Sequence, residues 1–429
     1  METSVIDIQQ ILQEVEDHLK NGIIPFWLNK GYDNQNGGYL TCFDSEGSLG
    51  EDTDKYIVTQ CRMIWGFSAF YQLYPENKEL LFMAEQGVNF LLDHFWDHEH
   101  GGWYWKVKRD GTLIDPGKVV YGQSFAIYAL SQYYQVTKDP LALEYAEETY
   151  NLLQIHCSDT LHGGYYENLE HDWQVSADGF CGGDRKSLDV HMHLLEAFTV
   201  LVQCSQKEHH KRKLQEIIDL ILKHMINHED GCGRNQFNRE FMPIPAISIR
   251  RTWNAERQGS QIIEKPRDTT SYGHNLELVW LLNRAVEVLG LPKHSFYDLT
   301  KKIAYHTLKF GLDSELGGVY RDGPHQGPAY ITDKEFWQNQ EVLVGFLDAY
   351  EILRDDKLLT AFLKTWEFSK KYLINWELGE WRQLVDKEGN ILIGNLGNPW
   401  KACYHSGRSM LEVIQRLEQM LELMSKVEG

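Results

Sequence analysis

Apolar residues return along most of this chain at helical spacing, with polar punctuation at nearly regular intervals. Residues 56–74 carry Ile57, Cys61, Ile64 and Trp65 on one stripe, and residues 78–96 carry Leu80, Met83, Ala84, Val88, Leu91 and Leu92. That i, i+3, i+4 recurrence is the mark of an amphipathic helix. The same pairing predicts helices at 119–136 with 140–156, 186–204 with 211–227, 272–290 with 295–311, and 335–354 with 357–374. An opening helix near 5–22 and a closing one near 406–425 bring the prediction to six pairs.

The punctuation is itself a repeat. It reads Gly37-Gly38-Tyr39, Gly101-Gly102-Trp103, Gly163-Gly164-Tyr165, a degraded Gly231-Cys232-Gly233, Gly317-Gly318-Val319-Tyr320 and Gly379-Glu380-Trp381. Copies lie about 60–70 residues apart, with one interval of about 86. Each has the composition of a short hairpin, glycines for positive φ followed by an alternating run. Six helix pairs with hairpins at one end predict a closed all-α ring, an (α/α)6 barrel, forming one domain over residues 1–429. An open solenoid of helix pairs is the competing architecture. Apolar and aromatic runs such as Phe125-Ala-Ile-Tyr-Ala-Leu130 in the helices after each hairpin favour closure, because such helices need burial on all sides. The long irregular stretch 229–270, with Pro243 and Pro245, reads as a functional loop or lid.

Charge and composition narrow the partners. A net charge of −20 over 429 residues argues against nucleic acid and anionic membrane surfaces and favours a small molecule. Seven scattered cysteines without a CxxC pair fit reduced core thiols. Met1-Glu-Thr-Ser-Val-Ile lacks the basic and apolar regions of a secretion signal, and no window is apolar enough to span a membrane, so the expected location is cytoplasmic. A monomer or weak homodimer is expected.

If the helices after the hairpins line the ring, their first turns share one mouth. Arg62, Tyr121, Asp189, His193, His274, Glu277, Trp337, Glu341, Trp400, His405 and Arg408 fall there. Asp189 and His193 are i, i+4 and share a face, whereas His191 points away and reads as structural. His274 and Glu277, at i, i+3, also share a face. Three histidines at helix openings point to proton transfer near neutral pH. Tryptophan faces suit the apolar side of a sugar ring. No HExxH or similar ligand spacing, phosphate loop, dinucleotide fingerprint or nucleophile elbow is present, so neither metal nor organic cofactor is expected. Paired carboxylates leave a glycoside hydrolase open.

The segments Arg185-Lys-Ser-Leu-Asp-Val-His-Met-His-Leu-Leu-Glu-Ala197, Ser271-Tyr-Gly-His-Asn-Leu-Glu277, Lys334-Glu-Phe-Trp-Gln-Asn-Gln-Glu341 and Pro399-Trp-Lys-Ala-Cys-Tyr-His405 resemble signatures of the N-acylglucosamine 2-epimerase superfamily, nearest its mannose and cellobiose 2-epimerase branches. With Tyr121-Gly-Gln123 the resemblance spans nearly the whole chain. It implies an (α/α)6 barrel and a cofactor-free inversion at C2 of a reducing sugar through a cis-enediol(ate). It implies His274 and His405 as the paired acid/base groups, with Arg62, His193 and Glu277 in support. Glu277 is expected to orient His274. Tyr121, Trp337 and Trp400 are implied as sugar contacts, and Asp189, Glu341 and Arg408 are expected beside them. Cellobiose epimerases have Asn at the place of Asp189 and Asp at the place of Asn275. The last motif is closer to the mannose branch. The expected reaction is therefore mannose–glucose interconversion, with cellobiose-type disaccharides as the alternative substrate and aldose–ketose isomerisation a further one.

Overall fold

The computed structural model describes residues 5–253, 255 and 264–428. Six helices form an inner ring: Ile57–Leu73, Val120–Thr137, Leu188–Ser205, Tyr272–Val288, Phe336–Leu353 and Cys403–Glu428. Each packs on the next, and the last packs back on the first, which closes the barrel. Outside them lie Val5–His18, Lys78–His94, Pro140–Leu152, Glu208–Leu220, Tyr297–His306 and Asp356–Phe368, each antiparallel neighbour to an inner helix. The architecture is an (α/α)6 barrel. Inner helices are buried almost around their circumference for their first four turns, as the aromatic-rich runs require. No helix among the described residues is long and apolar enough to cross a membrane.

Two regularities escape sequence periodicity. Five outer helices end in a π-helical turn, at Leu19–Ile23, Leu153–Cys157, Ile221–Met225, Thr307–Gly311 and Ser369–Leu373. In the first, the chain continues helically through Pro25 to Lys30, beyond the expected end near residue 22. Proline is tolerated there because it sits in the first turn of the new segment.

The second regularity is a peg under each hairpin. The hairpin Asp accepts a buried Lys from the strand preceding the next inner helix: Lys55–Asp33 at 3.1 Å, Lys118–Asp97 at 2.7 Å, Lys186–Asp159 at 2.7 Å and Lys334–Asp313 at 2.8 Å. In the degraded fourth copy, Thr270 stands at the Lys position and Asn227 at the Asp position, so both charges vanish together. Removing one partner alone would strand a buried charge. In the sixth copy Glu380 replaces the second glycine, and its carboxylate lies 3.6 Å from Lys401.

The short strands join neighbouring repeats. Lys55–Tyr56 pairs antiparallel with Lys106–Val107, Lys118–Val119 with Asn168–Leu169, and Arg185–Ser187 with Gln236–Asn238. Thr269–Ser271 pairs with Asp322–Pro324 and Lys334–Glu335 with Leu384–Val385 in the same sense. Hairpin and helix are then locked by the fourth residue of each inner helix. Gln60, Gln123, Asn275 and Asn339 accept the backbone N–H of Tyr39, Trp103, Gly233 and Val319 through their side-chain oxygens. His191 does the same for Tyr165, N to Nε2 at 3.1 Å, while its Nδ1 faces Ser187 O at 2.8 Å. His191 is thus the third repeat's version of an amide lock. The second glycine of the hairpin is needed for this approach: at Gly38, φ is +64° and a Cβ would meet Gln60 Oε1 at 2.8 Å.

Part of the expected 229–270 loop is ordered against the mouth, including strands Gln236–Asn238 and Pro243–Ile244. Residues 254 and 256–263 of that expectation lie outside the described residues.

Candidate active site

Successive residues in a helix turn by about 100°, so its second and sixth residues share a face while the fourth points elsewhere. The fourth residues serve the hairpins. The second, third and sixth turn toward the barrel axis, where the first turns of the inner helices meet. Tyr121, Asp189 and Trp337 are second residues, His274 and His405 third, and Arg62, His193, Glu277, Glu341 and Arg408 sixth. The last inner helix begins at Cys403, earlier than the expected 406, after a turn in which Asn398 accepts from Trp400 N and Lys401 N at 2.8 and 2.7 Å. That earlier start puts His405 in the first turn.

One cavity at this mouth is lined by Arg62, Tyr121, Asp189, His193, His274, Glu277, Trp337, Trp400 and His405. It continues outward past Glu167 and Asn168 to the segment 246–253, which includes Ile247, Arg251 and Trp253. His274 and His405 both pack on Trp337, with ring centroids 4.6 and 5.6 Å away. Trp400 lies 5.4 Å from Tyr121, centroid to centroid. Arg62 Nη2 donates to Tyr121 OH at 3.0 Å, and Nη1 donates to the Trp400 carbonyl. The outer segment is strapped down by Arg251, which donates to Asp115 Oδ2 at 2.8 Å and Oδ1 at 2.6 Å.

Two expected sugar contacts lie behind the wall instead. Glu341 and Arg408 are buried and do not line the cavity. Arg408 is the hub of three carboxylates: Nη2 donates to Glu277 Oε1 at 2.5 Å and Glu341 Oε1 at 2.7 Å, and Nη1 donates to Glu196. Glu341 Oε1 in turn faces His405 Nδ1 at 2.7 Å, and Oε2 accepts from Trp280 Nε1 at 3.1 Å. Glu277 was expected to orient His274, but its carboxylate is spent on Arg408. The acidic neighbour of His274 is Asp189, 3.6 Å from Nε2. Glu196, which the sequence reading passed over, lies 3.1 Å from His193 Nδ1 and accepts from Tyr404 OH at 2.7 Å. It stands i+3 from His193, the same spacing that drew attention to Glu277. Glu277, Glu341 and His405 could in principle hold a metal ion, since their ligand atoms lie within 4.8 Å of one another. The Arg408 guanidinium already supplies the positive charge between the two carboxylates.

Electrostatics divides the histidines into two kinds. Burial lowers His193, but hydrogen bonds to Asp189 and Glu196 outweigh it and raise it to about 9, so it is an imidazolium near neutrality. Burial lowers His274, opposed by the charge of Asp189. Burial also lowers His405, and Arg62 and Arg408 push it further, well below the ordinary imidazole value. Glu277 is raised to about 8 by burial and by Glu341. Burial raises Glu341 as well, so the two neighbouring carboxylates compete for ionisation around the one Arg408 guanidinium. With its Nδ1 proton held toward Glu341, neutral His405 keeps its Nε2 lone pair free.

These geometries bring three histidines, an arginine and three aromatic rings to one cavity at the mouth of an (α/α)6 barrel. A family profile described as N-acylglucosamine 2-epimerase matches residues 38–408, and the chain belongs to that family. It is a sugar 2-epimerase, an isomerase acting in carbohydrate metabolism. The cellobiose 2-epimerase of Bacteroides fragilis is 30% identical over 94% of this chain and 98% of its own length. The structure of the cellobiose 2-epimerase from Bacillus thermoamylovorans superposes with a TM-score of 0.85 at 28% identity, over 95% of this chain and all of that one. A D-mannose isomerase structure, 22% identical and covering 94% and 97% of the two chains, shares the fold with a TM-score of 0.81.

Proposed function

We propose that His274 and His405 epimerise C2 at the reducing end of a cellobiose-type disaccharide, held in its open-chain form. The observation that carries this is two imidazoles from different helices, packed on one tryptophan at a shared cavity, beside the Arg62 guanidinium. In one direction His405 Nε2 takes the C2 proton and the C–H electron pair moves into the carbonyl, giving a cis-enediolate. His274, protonated beforehand to its imidazolium, gives that proton to C2 from the other face and is left neutral, so the two histidines exchange roles for the reverse direction. Asp189 makes His274 the easier of the two to protonate, and the two arginines make His405 the harder, so the pair is matched as acid and base. The enediolate oxygen is met by Arg62 and the His193 imidazolium, with the positive ends of the inner helices behind them. A single such donor contributes about 2.7–4 kcal/mol to a transition state. Tyr121, Trp337 and Trp400 hold the sugar, Glu341 holds His405, Glu196 and Asp189 hold His193, and Arg408 holds the carboxylates in place.

The disaccharide assignment revises the mannose–glucose expectation drawn from the sequence motifs. It is supported by the similarity to cellobiose 2-epimerases at 29–30% identity over nearly the whole chain and by a cavity that runs past the histidines to the 246–253 segment. Asn275, one of the two departures from the cellobiose pattern, is a hairpin lock and does not line the cavity. The other departure, Asp189, lies in the cavity and favours mannose and glucose as a second reading. A panel of cellobiose, mannose, glucose and N-acetylglucosamine separates them. A kcat/KM for cellobiose at least tenfold above that for mannose is expected, and the reverse order would favour the second reading. Fructose as main product would indicate an aldose–ketose isomerase, and released monosaccharides a hydrolase.

A further inference from the structure

Away from the catalytic mouth, the second and third hairpins meet in a cluster of imidazoles that the epimerase chemistry does not use. We propose that Glu99, His100 and His171 form a transition-metal site, of the kind that takes Zn2+. Their ligand atoms lie within 4.8 Å of one another, and the two imidazole rings meet edge to face with centroids 4.7 Å apart. His100 Nε2 is 3.8 Å from Glu99 Oε1. All three side chains are open to solvent, so an ion can enter and keep a water in its fourth position.

The independent observation lies beneath them. His171 Nε2 is 2.9 Å from Oδ2 of the buried Asp97, an ion-pair distance outside hydrogen-bonding geometry, so Asp97 sits against the ring and leaves that nitrogen without a hydrogen-bond partner. A carboxylate close to the imidazole is the usual neighbour of a metal-ligating histidine, and a small rotation of the ring would let Asp97 accept from it. The same Asp97 accepts from Glu99 N at 2.9 Å and His100 N at 3.2 Å, so one carboxylate sets all three ligand residues. His100 is held a second time, its carbonyl accepting from Trp173 Nε1 at 3.0 Å. Lys118, 2.7 Å from Asp97 Oδ2, neutralises that carboxylate, which therefore positions ligands rather than competing for the ion. Two imidazoles and one carboxylate suit Zn2+, Ni2+ or Cu2+ in preference to Mg2+ or Ca2+. The ion would clip hairpin 97–103 to the turn 170–174, whose strand carries Asn168 into the catalytic cavity.

The test is calorimetric titration of ZnCl2 into the untagged, EDTA-treated full-length protein. One equivalent should bind, with Kd raised at least tenfold by His100→Ala and by His171→Ala, and raised less by Glu99→Gln. Titration with MgCl2 should give no heat. Copper electron paramagnetic resonance should show coupling to two nitrogens, falling to one in either histidine variant. Should His171→Ala not fold, His100→Ala decides alone, since the hydrogen bonds of His100 to Asp97 and Trp173 run through its backbone. Absence of Zn2+ binding, or binding unchanged in His100→Ala, would overturn the assignment.

Discussion

Replacing Glu341 by Gln tests whether a residue that touches no sugar sets the reactivity of one that does. The carboxylate receives three donors, from His405 Nδ1 at 2.7 Å, Arg408 Nη2 at 2.7 Å and Trp280 Nε1 at 3.1 Å. A glutamine amide has one oxygen. If that oxygen faces His405 and Arg408, its NH2 meets the Trp280 N–H; if it turns to Trp280, the NH2 meets the other two. Either way at least one fully buried donor loses its acceptor, which costs about 1–3 kcal/mol of stability. His405 also loses a charged partner, and hydrogen bonds to charged groups contribute about 1.5–3 kcal/mol. At about 1.36 kcal/mol per decade of rate, kcat should fall roughly 10- to 150-fold. KM should stay within about twofold, because Glu341 does not line the cavity. Initial rates on cellobiose and mannose, with circular dichroism to verify folding, give the answer. A KM effect with unchanged kcat would refute the reasoning, as would a folded variant of undiminished rate.

Three further outcomes follow from the same geometry. His191→Gln should fold with close to normal activity, because Gln60 and Gln123 fill the same place in other repeats, whereas His191→Ala should lose about 1–3 kcal/mol by denaturant unfolding. Rates should decline as pH rises through 8–9, where Glu277 at about 8 and His193 at about 9 lose their protons, and a pH–rate profile reads this directly. The sign for stability agrees at His193: its raised value contributes fully below the unfolded imidazole value of about 6.5 and is lost as pH climbs to about 9. Arg408→Met should leave Glu196, Glu277 and Glu341 buried without their shared cation and destabilise the fold by about 3–5 kcal/mol, visible in thermal or urea unfolding.

Much of this molecule is legible in its sequence because the repeats restate one rule six times. Apolar stripes set the helices, and paired glycines set the hairpins. The i, i+4 and i, i+3 tests placed Asp189 beside His193 and set His191 apart. What stayed hidden depends on contacts between repeats. The Lys–Asp pegs join residues more than twenty positions apart, and although both recur with the repeat, neither is apolar and nothing in the spacing pairs them. The π-helical turns leave no trace in residue spacing. Arg408 looked like a ligand contact because its position resembles that of Arg62. Which of two arginines reaches the cavity is decided by the acids around it: Arg408 is drawn among three, whereas Arg62 donates to Tyr121 and a backbone carbonyl. Glu277 illustrates the same limit, since sharing a face with His274 did not make them partners once a stronger cation lay within reach.

The central claim is that imidazoles from the fourth and sixth inner helices exchange the C2 proton of one opened sugar. Incubation with cellobiose or mannose in D2O, followed by proton NMR of the epimerised product, tests it most directly. The account predicts deuterium at C2 of the product, with the rate all but abolished in His274→Ala and again in His405→Ala. An epimer formed without deuterium at C2, or full activity after loss of either imidazole, would contradict it.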